Sequence, residues 1–214
     1  MNSEDFSWPD IRRSIFEMEG PESDSPTKCY IEHMGLMYFD DDYVGKQFKR
    51  SADQLVQLQM DGGDMLHPDG LFMPIAYLYR HCIELKLKSL LRTIGECELL
   101  EYDESLLIKH NLIKLWQTIK PALIEQWPKA DRKPLSNVES LICDFHKIDK
   151  SGQKLRYAST LDGQDVRSKY PKIIRLELLA QAVDELCSLL DGCHTHFCEI
   201  LDYIMESRRE SENY

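Results

Sequence analysis

The stretch from Leu71 to Arg92 constrains the fold more than any other. Wound as a helix at about 100° per residue from Arg80, its apolar residues Leu85, Leu78, Cys82, Ile75, Tyr79, Leu90, Ile83, Ala76 and Leu87 sweep an arc of roughly 200°. One neighbour cannot cover so wide an arc, so this helix has to be packed on several sides. Arg80, His81, Glu84, Lys88 and Arg92 share the remaining arc, and Arg80 and Glu84, four apart, are spaced to pair. By itself such a face reads either as a solvated surface with an ordinary ion pair or as the wall of a functional pocket.

Other segments carry the same helical period. Leu176, Leu179, Val183, Leu186, Leu190, Cys193, Phe197, Leu201 and Ile204 step by three or four throughout, the packing period of helix bundles. Asp40-Asp-Asp42 places acids at the start of a helix that continues to about Met60, where they complement its dipole. Further helices are expected from Asp103-Glu-Ser105 to about Pro121, from Ala122 to Trp127, and from Ser136 or Asn137 to about Ile148. Gly95 is expected to stop the 71–92 helix. Lys150 to Tyr170 lacks a helical period, and Pro171 opens the last helix. No stretch alternates for long with period two. The expected fold is all-α, a helical bundle of four to six helices with a long irregular loop before the last helix. Residues 1–28, rich in Pro, Gly, Ser and acids, read as an N-terminal arm, 29–206 as the helical domain, and 207–214 as a flexible tail.

Composition narrows the function. A net charge of -11 gives no general field that attracts nucleic acid, so contact with it needs a local basic groove or a basic partner. No apolar run reaches the roughly 18 residues of a membrane span, and the polar, acidic N-terminus is not a secretory signal. A cytoplasmic location is expected. Seven cysteines without framework spacing read as reduced thiols.

The run Cys193-His-Thr-His-Phe-Cys198 looks like a metal cluster until it is wound into a helix. Cys193 and His196 then share one face, His194 and Cys198 another, and no second Cys/His pair stands at zinc-finger spacing. Core cysteines with solvent-facing histidines are expected, and no metal or cofactor. Phosphate-binding Gly-x-x-x-x-Gly-Lys, nucleophile-elbow Gly-x-Ser-x-Gly and zinc-protease His-Glu-x-x-His patterns are absent.

Three separated segments remain. They are Tyr79-Arg-His-Cys-Ile-Glu-Leu-Lys-Leu-Lys88, His110-Asn-Leu-x-x-Leu-Trp116 and Asp149-x-Ser-Gly-Gln-x-x-Arg-Tyr157. In this order they resemble HEPN domains, in particular prokaryotic members with an Arg-His-x-x-Glu helix, a His-Asp/Asn-Leu segment and an Arg-Tyr element. The resemblance covers roughly residues 70–205. It implies a helical bundle, frequent dimers, and roles around RNA cleavage, nucleotide binding, toxin–antitoxin pairs and phage defence. The ribonucleases of that superfamily place a His four to six residues after an Arg, and no Arg here has a His at that distance.

The expected site is therefore a polar pocket. Arg80, His81 and Glu84 are the candidates for chemistry, with an Arg to stabilise phosphorane charge, a His as acid–base and Glu84 to orient Arg80. His110, Lys154, Arg156 and Tyr157 are the candidates for ligand binding. A nucleotide or RNA ligand, a homodimer or an operon-encoded protein partner, and no membrane are expected. Two alternatives stay open: a metal-independent ribonuclease acting as a dimer, and a purely structural interaction subunit in which Arg80–Glu84 is a fold-specifying buried pair.

Overall fold

A computed structural model describes residues 41–62, 70–152, 155 and 174–212, all within the unit Tyr38–Tyr214. The described residues form six helices and no strand: α1 (Asp41–Met60), α2 (Phe72–Glu96), α3 (Ser105–Ile108), α4 (Leu112–Gln126), α5 (Lys133–Ile148) and α6 (Leu176–Glu212). The all-α bundle is as the sequence implies, with a long connection before the last helix. The expected N-terminal arm, Lys154, Arg156, Tyr157 and Pro171 lie outside the described residues.

α2 is the hub, packing against α1, α4 and α6. Its apolar arc is used on all these sides, with Ile75, Tyr79, Cys82, Ile83, Leu87, Leu90 and Ile94 all buried. Each such aliphatic side chain removed from water contributes about 1.5–3 kcal/mol before the entropy of ordering it is subtracted. Trp116 of α4, Phe145 of α5 and Phe197 of α6 close the core around this helix. α5 joins through α4, presenting Val138, Ile142 and Phe145 from one face.

Several boundaries differ from the sequence reading. Gly95 does not stop α2, which continues to Glu96; the left-handed residue that follows the helix is Glu98, at φ 59°. Gly95 is there for close approach, because a Cβ at this position would stand 2.5 Å from the Tyr102 ring. The helix expected from Asp103 breaks after Ile108, where Lys109 turns to extended backbone. α4 then starts afresh behind Asn111, whose side chain accepts from the Lys114 N–H at 3.1 Å. Pro121 sits inside α4 without ending it, so Ala122–Trp127 is no separate helix. The ring removes one backbone donor there, and the burial of Ala122 and Leu123 against the core carries the helix onward. α5 begins at Lys133, before the expected Ser136 or Asn137, with Pro134 in its first turn. α6 runs to Glu212, through most of the segment read as a tail, with Arg208 paired to Glu98 at 2.7 Å.

The cap at Asn111 matters because it fixes the residue after His110. Asn111→Ala is expected to lower stability by about 1 kcal/mol. A urea midpoint that does not move would show that the cap contributes nothing.

Candidate functional site

Arg80 lies one turn before Glu84 on the buried face of α2, and Lys88 one turn after it. The guanidinium is 2% exposed and every nitrogen has a partner. Nη1 donates to Glu84 Oε2 at 2.9 Å, Nε to the backbone carbonyl of Asp149 at 2.9 Å, and Nη2 to the backbone carbonyl of His110 at 2.8 Å. A planar fork of fixed donors can hold three acceptors in one plane, which a lysine ammonium cannot do. Arg80 thus staples the start of α4 and the end of α5 to the middle of α2.

Glu84 is the acid of this network and is 1% exposed. Its Oε1 accepts from Lys88 Nζ at 2.7 Å and meets His110 Nδ1 at 2.7 Å. Burial alone would push the carboxyl upward; the hydrogen bonds and charge of Lys88, His110 and Arg80 outweigh it and hold Glu84 below the ordinary carboxylate value. An ionised carboxylate only accepts, so Nδ1 of His110 carries the proton in this contact. In the neutral ring the lone pair then resides on Nε2. The His110 side chain is 50% exposed, the one member of the network open to solvent.

Asp149 completes the frame from the end of α5. Fully buried, it lies with Oδ2 3.9 Å from Arg80 Nε. Its carboxylate also accepts from the Ser151 N–H at 3.2 Å and the Leu155 N–H at 3.4 Å. These bonds bend the chain into a turn through Gly152, at φ 72°. A side chain there would be strained by that φ, and its Cβ would stand 3.0 Å from Arg80 Nη1 and 3.3 Å from His110 Cβ. Gly152 therefore lets the turn lie directly on the Arg80–His110 contact.

The structure brings together Arg80, Glu84 and Lys88 of the first sequence segment, His110 of the second and Asp149 of the third. It does not bring His81 into the network. That ring turns toward α1, edge-on to Phe48 at 4.5 Å between centroids and stacked on Tyr77 at 5.9 Å. Burial lowers its pKa, with Glu84 opposing, so it rests as a neutral packing residue. Lys154, Arg156 and Tyr157 lie outside the described residues. His146, on the last turn of α5, is a further neighbour. Burial and then the Arg80 charge lower its pKa, and its buried Nδ1 has no hydrogen-bond partner among the described residues.

Two further residues of this region differ in how visible they are in the sequence. His146 left no signal, since a lone histidine near a helix end has no pattern. Lys86 did leave one: on the α2 wheel it falls between Ile75 and Tyr79, in the middle of the apolar arc. It is buried and bridges Asp42 of α1, at 3.3 Å, and Asp191 of α6. Burial would lower its pKa; the two carboxylates prevail and raise it. Asp42, part of the triple-Asp run, also pairs with Lys46 at 2.6 Å, and Asp41 with Arg92 at 3.0 Å.

The histidines of the 193–198 run are not solvent-facing as expected. His194 is half-buried, with Nε2 3.1 Å from both Ser89 Oγ and Thr93 Oγ1, and His196 lies 2.8 Å from Gln126 Nε2. Both turn toward neighbouring helices because each finds a polar partner there. Among the described residues no group of three or more His, Cys, Asp or Glu is placed to hold a metal ion, and no helix is long and apolar enough to cross a membrane.

No protein-family model, curated protein or solved structure matches this chain. The likeness to HEPN domains therefore rests on the three sequence segments themselves.

Proposed function

We propose that this chain is a HEPN-like helical module that presents His110 to the phosphate of a nucleotide or RNA, as a component of a prokaryotic defence or toxin–antitoxin type system. The observation that carries the reading is the contact between Glu84 and His110. A buried, ionised acid fixes one nitrogen of an imidazole whose other side is open to solvent. Exposed Lys109, Lys114 and Lys150 stand on the two segments that Arg80 joins, and supply local positive charge in an acidic chain. In this arrangement Arg80 is a positioning residue: it is 2% exposed and its three nitrogens face Glu84 and two backbone carbonyls, so it acts on a ligand through His110.

A second reading, a metal-independent ribonuclease, is favoured by the same tautomer, since Nε2 of the neutral ring is a general base. One set of assays separates the two. Labelled oligoribonucleotide binding is followed by anisotropy, thermal shift is measured with ATP, GTP and AMP, and total RNA and tRNA are incubated with the protein without metal. The expected result is binding weakened at least about tenfold by His110→Ala at nearly unchanged Tm, with no cleavage. Cleavage abolished by His110→Ala would establish the ribonuclease reading instead. If no nucleotide or RNA binds or shifts Tm, both readings fail and Arg80–Glu84 is a structural pair alone.

A further inference from the structure

We propose that Cys82 and Cys187 form a redox modification site, at which a peroxide converts the two thiols to a disulfide that ties α2 to α6. Cys82 lies in the middle of α2 and Cys187 on the facing side of α6, 105 residues further along. Their Sγ atoms are 3.7 Å apart, and both thiols are free and buried. The sulfurs already touch, and a bond requires them to close to about 2.05 Å.

Lys86 stands one turn beyond Cys82, and Lys49 lies on α1; both favour a thiolate at either sulfur, with burial opposing. Either sulfur can donate in this contact; with Cys187 as the donor, the hydrogen bond lowers the pKa of Cys82 and, together with burial, raises that of Cys187. In that arrangement Cys82 is the attacking sulfur and Cys187 the resolving one. No other described cysteine shows this arrangement. Cys97 donates to the Phe197 carbonyl at 3.3 Å, Cys198 faces His194 at 3.9 Å, and burial pushes the Cys193 thiol up to about 11.

The chemistry balances in two steps. The Cys82 thiolate attacks one peroxide oxygen, the O–O bond breaks, and hydroxide leaves to take up the proton that Cys82 had released. Cys82 is now a sulfenic acid. The sulfur of Cys187 then attacks the sulfenic sulfur, the S–O bond breaks, and the hydroxyl departs as water with the Cys187 proton. Two thiols lose two electrons and two protons, and one peroxide becomes two waters. Both sulfurs are buried, so the oxidant enters through local opening between α2 and α6.

The test uses the folded full chain. It is incubated with hydrogen peroxide, remaining thiols are blocked in denaturant, and the product is mapped by peptide mass with thermal unfolding alongside. The expected result is the loss of two hydrogens, one linked Cys82–Cys187 peptide reversed by dithiothreitol, and a Tm raised by about 10 °C. Cys187→Ser is expected to leave a Cys82 sulfenic acid that dimedone traps. A different pairing, or free Cys82 and Cys187 after Cys143 has reacted, would overturn the proposal, as would sulfinic or sulfonic acid at Cys82 without a disulfide. Should Cys187→Ser not fold, the map of the unsubstituted chain decides the matter alone.

Discussion

Glu84→Gln is expected to destabilise the folded chain by about 3–5 kcal/mol. The substitution keeps the shape of the side chain and removes its charge. Arg80 and Lys88, both buried, then lose the carboxylate that each contacts within 3 Å. A glutamine oxygen can accept from one of them, Arg80 keeps only the longer 3.9 Å contact with Asp149, and Lys88 loses its carboxylate partner; an uncompensated buried charge is among the largest single-residue costs. Urea denaturation near neutral pH measures the loss as a lowered midpoint at unchanged slope. The pH dependence supplies an independent check. The folded-state pKa of Glu84 is depressed, so the unfolded chain binds the proton more readily. The stabilisation from Glu84 is therefore fully present above the unfolded value near 4.5 and is lost as pH falls through the folded value. The gap between the two proteins is expected to close on acidification below that point. A loss under about 1 kcal/mol at neutral pH would show that this network does not sustain the fold.

The second large effect is expected at Arg80, where charge and geometry separate. Arg80→Lys keeps the positive charge beside Glu84 but replaces a three-way fork with a single ammonium. At most one of the three contacts, most simply the one to Glu84, survives. The backbone carbonyls of His110 and Asp149 are then left without their donor, at about 1–3 kcal/mol each when buried. The expected loss is about 2–4 kcal/mol, since water reaches the His110 side in part. Ligand affinity is expected to fall with it, because the start of α4 is no longer pinned and His110 Nδ1 loses its fixed angle to Glu84. Stability from urea midpoints and binding from anisotropy are measured on the same sample. A variant that keeps both would show that positive charge is sufficient and that the fork has no positioning role.

Much of this site was legible before the fold was. The spacing of Arg80, Glu84 and Lys88 on one helix follows from the period of 3.6, and so does their shared face. His110 could be nominated only because it recurs beside that helix motif in a resembling family. What the chain order does not contain is direction. His81 is adjacent to Arg80 in sequence, yet 100° of helical rotation sends it to Phe48 and Tyr77 while Arg80 turns to Asp149. Asp149 stands within a sequence motif, but its role depends on a turn that its own carboxylate bends.

The boundary errors have similar causes. Gly95 carried the usual stop signal, but the need was for space beside Tyr102, which is a tertiary demand. Pro121 carried the usual break signal, and the buried residues after it outweighed one missing hydrogen bond. Local propensity is worth tenths to a few kcal/mol, and packing of a whole face is worth more.

The sequence by itself determined the fold class and the hub. An apolar arc of roughly 200° on α2 and a nine-residue apolar ladder on α6 admit little besides a helical bundle, because burial is proportional to apolar area and indifferent to its partners. Tertiary structure alone decided which polar groups meet. Whether Arg80 reaches a ligand or two backbone carbonyls, whether Lys86 finds Asp42 and Asp191, and whether Cys82 touches Cys187 are fixed by distances of a few ångströms between segments up to 105 residues apart. Hydrogen bonds and ion pairs are directional and short-ranged, so periodicity cannot foretell them.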